Sequence, residues 1–218
     1  MSKSKTSNND GAGEPAGCAC SKGAKTRGAV IVVSAPSGCG KTTIVDRLLN
    51  RHPEWQRSIS VTTRAPRFNE KNGVNYFFVD DQEFNRLRES GELLEYARVI
   101  DRFYGTPRKF VCDSLRDGKA VILEIDVQGA KKIKKALDAK VPLLSIFVLP
   151  PSIKVLRERL EGRKTETPEQ IQLRIEVAQE EIKEAGSYDV TVVNQNLDLT
   201  VVEIESAILN FIKERRTD

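Results

Sequence analysis

The residues with the clearest chemical meaning form one short run, Ser-Ala-Pro-Ser-Gly-Cys-Gly-Lys-Thr-Thr at 34–43, directly after the apolar residues 30–33. A β-branched run, a glycine-bearing turn and Lys-Thr opening an amphipathic segment form the pattern of a phosphate-binding loop, or P-loop. Gly38 and Gly40 allow the backbone to curl, so that successive N–H groups point at phosphate oxygens. The positive end of the following helix adds to the attraction for an anion. The run therefore predicts a site for nucleotide phosphates.

Two side chains of the P-loop have predicted roles. Lys41 would reach the β- and γ-phosphates, and the Thr42 hydroxyl would ligate Mg²⁺. The chain departs from the general pattern G-x-x-x-x-G-K-[ST] at Ala35, where the pattern has glycine. The strand-like run before the loop and the apolar helical spacing after it still favour a P-loop over an incidental glycine-rich turn.

A second group of candidate anion-binding residues follows at 60–67, Ser-Val-Thr-Thr-Arg-Ala-Pro-Arg. Arg64 and Arg67 lie three residues apart, Pro66 stiffens the chain between them, and hydroxyl groups precede them. Guanidinium groups present rigid forks of N–H donors that match phosphate oxygens. On its own, the stretch is better explained as a solvated basic loop, so the rest of the chain decides its role.

Strands and helices alternate along most of the chain, which predicts a parallel sheet with helices on both faces. The predicted strands are 29–33, 120–125, 143–149 and 189–193, with 57–63 also extended, and the predicted helices are 41–51, 107–117, 128–138, 152–160, 168–185 and 198–215. Ligands are expected at the carboxyl ends of the parallel strands.

One stretch, 68–105, interrupts this alternation. It contains short antiparallel-looking strands at 74–79, 93–100 and 102–104, and a helix near 81–90. We predict that it forms a small subdomain inserted on the main sheet.

Composition and charge limit the class of protein. The chain has 218 residues, of which 39% are hydrophobic and 30% charged, as expected for one soluble globular domain. No apolar run is long enough to span a membrane, and the first residues lack the apolar segment of a secretory signal. The net charge of +4 comes mostly from residues 1–28, so it is weak evidence for nucleic-acid binding. We expect a cytoplasmic protein with a disordered leader at 1–27.

Cysteine and histidine do not predict a metal site. The four cysteines, at 18, 20, 39 and 112, lack C-x-x-C spacing, and His52 is the single histidine. Cys39 lies inside the P-loop, where its backbone matters more than its thiol, and its reactivity is left open.

The chain resembles the guanylate kinases, which phosphorylate GMP with ATP, from about residue 28 to 214. The motifs that carry the resemblance occur in the family's order: Ala35-Pro-Ser-Gly-Cys-Gly-Lys-Thr42, Ser60-Val-Thr-Thr-Arg-Ala-Pro-Arg67, Gly73-Val-Asn-Tyr76, Leu94-Glu-Tyr-Ala97, Tyr104-Gly-Thr106, Leu123-Glu-Ile-Asp-Val-Gln-Gly129 and Leu160-Glu-Gly-Arg163. Family members often carry alanine at the position of Ala35, so the departure from the P-loop pattern fits the resemblance.

The resemblance implies a fold and its division. It implies a P-loop NTPase-like α/β domain over 28–215 with an inserted, β-rich GMP-binding subdomain at about 61–106. The core would comprise 28–60 and 107–215, with a mobile lid at about 157–174.

The resemblance also implies the site residues. The implied ATP-binding positions are Ala35, Pro36, Ser37, Gly38, Cys39, Gly40, Lys41, Thr42, Thr43 and, near the adenine, Asn194. The implied GMP-binding positions are Ser60, Arg64, Arg67, Tyr76, Glu95, Tyr104, Thr106 and Asp126. The implied catalytic positions are Lys41, Arg64 and the lid arginines Arg163 and Arg174, with Arg159 in support. Thr42 would ligate Mg²⁺, and Glu124, which ends a buried strand near the P-loop, would hold water on the ion.

Guanine chemistry supports the assignment of Glu95 and Thr106. Guanine offers N1–H and the 2-amino group as adjacent donors that one carboxylate can accept, and a hydroxyl can donate to O6. Adenine presents an acceptor at N1 and no 2-amino group. Glu95 would then stay unpaired, and the cost of an unpaired buried charge supplies discrimination.

The implied transfer needs no general base, because the attacking GMP phosphate oxygen is already ionised near neutral pH. The enzyme must hold two polyanions in line and neutralise the charge that develops between them. Lys41, Mg²⁺ and the arginines would supply that charge, and closure of the lid would exclude water.

Two other functions fit parts of the pattern. Guanylate-kinase-like domains of scaffold proteins keep the fold and bind peptides, but they typically have damaged P-loops or lack the lid arginines. A kinase for another small acceptor would not require the pair of Glu95 and Thr106. The sequence leaves open the oligomeric state and the choice between GMP and dGMP.

Overall fold

The computed structural model describes residues 28–137, 139–162 and 166–215. In chain order the strands are β1 (Ala29–Ser34), β2 (Gln56–Ser58), β3 (Val61–Thr62), β4 (Phe77–Phe78), β5 (Leu93–Val99), β6 (Arg102–Pro107), β7 (Ala120–Glu124), β8 (Leu143–Leu149) and β9 (Val190–Val193). The helices are α1 (Lys41–Arg51), α2 (Asp81–Glu89), α3 (Arg108–Arg116), α4 (Val127–Ala136), α5 (Ile153–Glu161), α6 (Pro168–Lys183) and α7 (Leu197–Glu214).

A five-stranded parallel sheet with the order β2-β7-β1-β8-β9 lies at the centre of the fold. Every residue of β1 is buried, because helices cover both faces of the sheet and leave neither side to water. Ile31 and Val33 of β1 belong to a core that includes residues of α1, α5, α6 and α7. Val30 and Val32 belong to a second core with residues of α3 and α4. The predicted α/β class with helices on both faces is confirmed.

A second, four-stranded sheet has the order β4-β3-β6-β5. Its strands surround a small apolar core of Val61, Phe84 and Leu93. Phe84, from α2, is fully buried and stacks on Phe103 of β6, with 5.3 Å between the ring centroids. Strands β5 and β6 of this sheet carry Glu95, Tyr104 and Thr106, and Arg64, Arg67 and Tyr76 lie in the connection between β3 and β4.

The sequence prediction was wrong about the path between the two sheets. Residues 57–63 do not form one extended segment, because β2 pairs in the central sheet and β3 in the second sheet. The predicted strand 74–79 is reduced to β4, which pairs with β3 in parallel rather than antiparallel fashion. A turn takes its place, with Gly73 at a φ of 76°. In this turn Asn72 Oδ1 accepts a hydrogen bond from the N–H of Phe78. A local side-chain hydrogen bond therefore takes the place of backbone pairing between strands.

Two helix starts bring site residues to the carboxyl edge of the central sheet. Asp126, just after β7, caps α4, and its Oδ1 accepts from the Gly129 N–H at 2.8 Å. Thr167 and Gln170 form a capping box at the start of α6, with Pro168 in the first turn. Among the described residues no helix combines the length and apolar character needed to cross a membrane.

Phe84→Ala tests the small core of the second sheet. Removing a fully buried phenylalanine leaves a cavity, and the free energy of unfolding should fall by about 3–5 kcal/mol. Urea denaturation followed by circular dichroism measures this change. Phe68→Ala is the matched control, because Phe68 is fully exposed and its loss should change stability by no more than about 0.5 kcal/mol. Equal effects of the two variants would contradict this account of the core.

Candidate active site

One cleft gathers most of the predicted site residues. The predicted residues that line it are Ala35, Pro36, Ser37, Gly38, Gly40, Lys41, Thr42, Thr43, Ser60, Arg64, Arg67, Tyr76, Glu95, Tyr104, Glu124, Asp126 and Arg174. The cleft runs from the P-loop, across the ends of β1 and β7, to the second sheet. Residues that were predicted from two distant parts of the chain therefore face one space.

The P-loop has the backbone geometry of an anion site. Gly38 and Gly40 have φ values of 99° and 84°, which side chains other than glycine rarely adopt. A Cβ on Gly38 would lie 2.9 Å from Cδ1 of Leu156, so the helices behind the loop leave no room for one. No side chain caps the first turn of α1, and its N–H groups are available to a phosphate.

Residues behind the P-loop fix its path. Asn194, at the end of β9, donates from Nδ2 to the Cys39 carbonyl at 2.8 Å, and Arg159 Nη2 donates to the Asn194 carbonyl at 3.0 Å. Cys39 is fully buried. Asn194 and Arg159 thus support the loop from outside the cleft, and the contact of Asn194 with adenine stays a prediction.

Lys41 extends from the P-loop toward the end of β7. Its Nζ donates to the Ile125 carbonyl at 3.4 Å. The neighbouring Asp126 is largely buried, and burial raises the pKa of its carboxyl although the Gly129 N–H and Lys41 oppose the shift. Glu124 faces the cleft beside them and lies 2.9 Å from Arg57 Nε. A lysine and two carboxylates therefore meet where phosphate groups would enter.

Arg64 and Arg67 lie on the opposite side, in the loop after β3. Arg64 Nη2 donates to Glu70 Oε1 at 2.9 Å, and the Arg64 guanidinium covers the ring of Tyr76, 5.4 Å from its centroid. Tyr104 meets Tyr76 edge-on, with 6.0 Å between centroids. Burial raises the pKa of Tyr76 to about 12, so its hydroxyl stays a hydrogen-bond donor. Glu70, which the sequence analysis did not single out, also accepts from the Arg67 backbone N–H at 2.8 Å and so links the two arginines.

Glu95 and Thr106 face each other across β5 and β6. The Thr106 hydroxyl donates to Glu95 Oε1 at 2.7 Å, and both residues are buried. Burial raises the pKa of Glu95 to about 7, and the Thr106 hydrogen bond opposes the rise. The N-terminal turn of α4 approaches so closely that a Cβ on Gly129 would lie 3.0 Å from Glu95 Oε2. The carboxylate thus lines the cleft with one hydrogen bond already made.

Helix α6 places three residues on the cleft at helical spacing, Arg174, Val177 and Glu181. Arg174 Nη1 donates to Ser37 Oγ in the P-loop at 2.9 Å. Burial raises the pKa of Glu181 to about 7, and Asp126 adds to the shift while Lys41 opposes it. Sequence reasoning missed Glu181, although its spacing of seven residues from Arg174 was a usable signal.

Two predictions fall outside what the structure describes. Arg163, the first lid arginine, and the leader at 1–27 lie outside the described residues. Among the described residues no group of three or more histidine, cysteine, aspartate or glutamate side chains is arranged to hold a metal ion.

Comparison with known proteins identifies the family. The guanylate kinase family model matches residues 27–210. A guanylate kinase of Wolbachia from Brugia malayi is 45% identical over 184 residues, covering 84% of this chain and 93% of that protein. A guanylate kinase of Clostridioides difficile is 45% identical over 182 residues, covering 84% and 87%. The crystal structure of guanylate kinase from Anaplasma phagocytophilum superposes with a TM-score of 0.71 at 36% identity, covering 89% of each chain. The chain belongs to the guanylate kinase family.

Proposed function

We propose that this protein transfers the γ-phosphoryl group of ATP to GMP, giving ADP and GDP. The observation that carries the proposal is the two-sided cleft, in which a P-loop faces an arginine clamp and a buried carboxylate. Family membership supports the same reaction. In the described residues no feature favours peptide binding, since the P-loop, Lys41 and Arg174 are intact.

The donor side would hold the triphosphate of ATP. The uncapped first turn of α1 and the N–H groups of the P-loop would surround the β- and γ-phosphates. Lys41 would exchange its long contact with the Ile125 carbonyl for phosphate oxygens, since a charge-assisted bond is stronger than one to a carbonyl.

The acceptor side would hold GMP by both its ends. Its phosphate would take the N–H donors of Arg64 and Arg67, with Ser60, Tyr76 and Tyr104 beside them. Its base would reach Glu95, which can accept from guanine N1–H and the 2-amino group. In the free protein the Thr106 hydroxyl donates its single hydrogen to Glu95; with guanine on Glu95, that hydrogen would turn to O6. Asp126 would lie between the two nucleotides and contact the acceptor.

Mg²⁺ fits the oxygen groups at this edge of the sheet. Thr42 offers a hydroxyl, and Glu124 offers a carboxylate for water on the ion, which is the donor type that Mg²⁺ prefers. Bound Mg²⁺ neutralises charge on the β- and γ-phosphates. Few protein ligands are needed, because phosphate and water complete the coordination.

The reaction then depends on position and charge. The ionised phosphate oxygen of GMP attacks the γ-phosphorus, and the bond to the bridging oxygen of ADP breaks, so no proton has to be removed by a base. Lys41, Arg64 and Arg174 would stabilise the charge spread over the transferred group, with Arg163 as a further candidate.

We extend the proposal to the domain boundaries of the chain, its location in the cell and its partners. The core would comprise 28–60 and 107–215, with the acceptor subdomain at about 61–106 and the lid at about 157–174. We place the protein in the cytoplasm, with free nucleotides rather than nucleic acid or a membrane as its partners, in purine nucleotide metabolism.

A coupled assay with ATP and Mg²⁺ and each of GMP, dGMP, AMP, CMP and UMP tests the function. GMP should be strongly preferred. Glu95→Gln should lower kcat/KM for GMP by about 10- to 100-fold, because one charged hydrogen bond contributes about 1.5–3 kcal/mol, and it should leave KM for ATP unchanged. Glu89→Gln, at an exposed acid, is the matched control. Equal rates with AMP and GMP would refute the guanine assignment.

The pH dependence of kcat/KM for GMP tests the state of Glu95. Its pKa of about 7 means that protons compete with GMP, since only the ionised carboxylate accepts both guanine donors. kcat/KM should therefore fall as the pH drops through about 7, while kcat at saturating GMP changes less, because bound guanine favours the ionised form. The phosphate of GMP titrates near about pH 6 in every variant. Because the pKa of Glu181 in the same cleft is also raised to about 7, Glu181→Gln is compared. A step near 7 that Glu95→Gln keeps and Glu181→Gln loses would contradict the assignment.

A further inference from the structure

A buried carboxylate joins two of the candidate phosphate-binding arginines. Glu166 lies just before the N-cap of α6, and 6% of its side chain is exposed. Its Oε1 lies 2.9 Å from Arg174 Nε and 4.0 Å from Arg67 Nη2. Arg67 comes from the acceptor-side loop and Arg174 from α6, so Glu166 connects the two sides of the cleft.

Charge attraction, rather than directed hydrogen bonding, holds this carboxylate. Neither oxygen of Glu166 has a well-aligned hydrogen-bond donor among the described residues, although Arg174 Nε is close. Burying a carboxylate costs several kcal/mol unless nearby cations compensate it. The two arginines provide that compensation, and the attraction in turn restricts where their guanidinium groups can lie.

The contacts of Arg174 define the orientation of its guanidinium. Nε lies against Glu166 on one side, and Nη1 donates to Ser37 Oγ of the P-loop at 2.9 Å on the other. One hydrogen bond and one charge contact restrict where this planar group can lie. Within the described part of the chain, Nη2 makes no hydrogen bond or ion pair. The guanidinium is thereby held against the loop that would cradle the triphosphate.

We propose that Glu166 is a positioning residue for phosphoryl transfer, which holds the Arg174 guanidinium at the P-loop so that its N–H groups meet the transferred phosphoryl group. The proposal rests on the proposed function, in which Arg174 stabilises the charge developing between ATP and GMP. Glu166 lies about an ångström farther from Arg67 than from Arg174. The main effect therefore falls on the transition state and not on the binding of GMP.

The chemistry of the pair explains why an acid is required. A guanidinium that must meet a transient, highly charged group gains most when its orientation is set beforehand, because no reorganisation is then needed during the reaction. Glutamine has the same shape but no charge, so it can accept from Arg174 but attracts the guanidinium less strongly. Aspartate keeps the charge on a shorter side chain and should restore part of the effect.

Steady-state kinetics with saturating ATP and Mg²⁺ and varied GMP test the proposal. The variants are Glu166→Gln, Glu166→Asp, Arg174→Ala and the double variant Glu166→Gln/Arg174→Ala. Glu166→Gln should lower kcat by about tenfold or more, the usual size of an effect exerted through a neighbouring residue, with KM for GMP within about twofold of the original protein. Glu166→Asp should retain more activity than Glu166→Gln. In the Arg174→Ala background, Glu166→Gln should have no further effect.

Glu180→Gln is the matched control, since Glu180 is an exposed acid of α6 that pairs with Lys183, and its kcat should be unchanged. Thermal unfolding and ATP titration of every variant establish that folded proteins are compared. A normal kcat for Glu166→Gln, with a low kcat for Arg174→Ala, would overturn the positioning role and leave the function intact. A normal kcat for Arg174→Ala would instead refute the role given to Arg174. A rise in KM for GMP alone, or equal losses in both backgrounds, would show that Glu166 acts through another residue.

Discussion

Repulsion between two phosphate-bearing nucleotides is the constraint on which the rest of this structure depends. A protein that brings two polyanions together must place cations between and around them, and those cations repel each other before any nucleotide arrives. The parallel sheet helps to place these groups around the phosphates, because the ends of β1 and β7 bring the P-loop and Asp126 to one edge. The second sheet brings Arg64 and Arg67 to the facing side.

Glutamate side chains reduce the repulsion among these cations. Glu70 pairs with Arg64, Glu124 lies against Arg57, and Glu166 lies against Arg174, each at 2.9 Å. These carboxylates keep guanidinium groups close to one another without a bound nucleotide. They also set where the donors point, so the cost of ordering them is met during folding rather than during the reaction. The arginines are therefore tolerated next to one another because acids lie beside them.

Burial gives the remaining acids a different property. Glu95 and Glu181 have pKa values raised to about 7 because the protein around them disfavours their charged forms. A nucleobase with two adjacent hydrogen-bond donors can stabilise the ionised Glu95 carboxylate, and a nucleobase without them cannot. The same burial that makes Glu95 costly in the free protein thus makes it selective for guanine in the proposed complex.

Sequence reasoning predicted much of this protein, and its errors have a common cause. The P-loop, the alternation of strands and helices and the family were determined by the sequence itself, because they depend on glycine conformation, local periodicity and short motifs. The parallel pairing of β3 with β4 and the break between β2 and β3 were decided by tertiary structure, since pairing partners are not encoded by periodicity. The hydrogen bond from Asn194 to Cys39 spans 155 positions, and the contact of Glu166 with Arg67 joins two separate elements. Such distances are set by how sheets and helices pack, and only the folded chain brings these groups together.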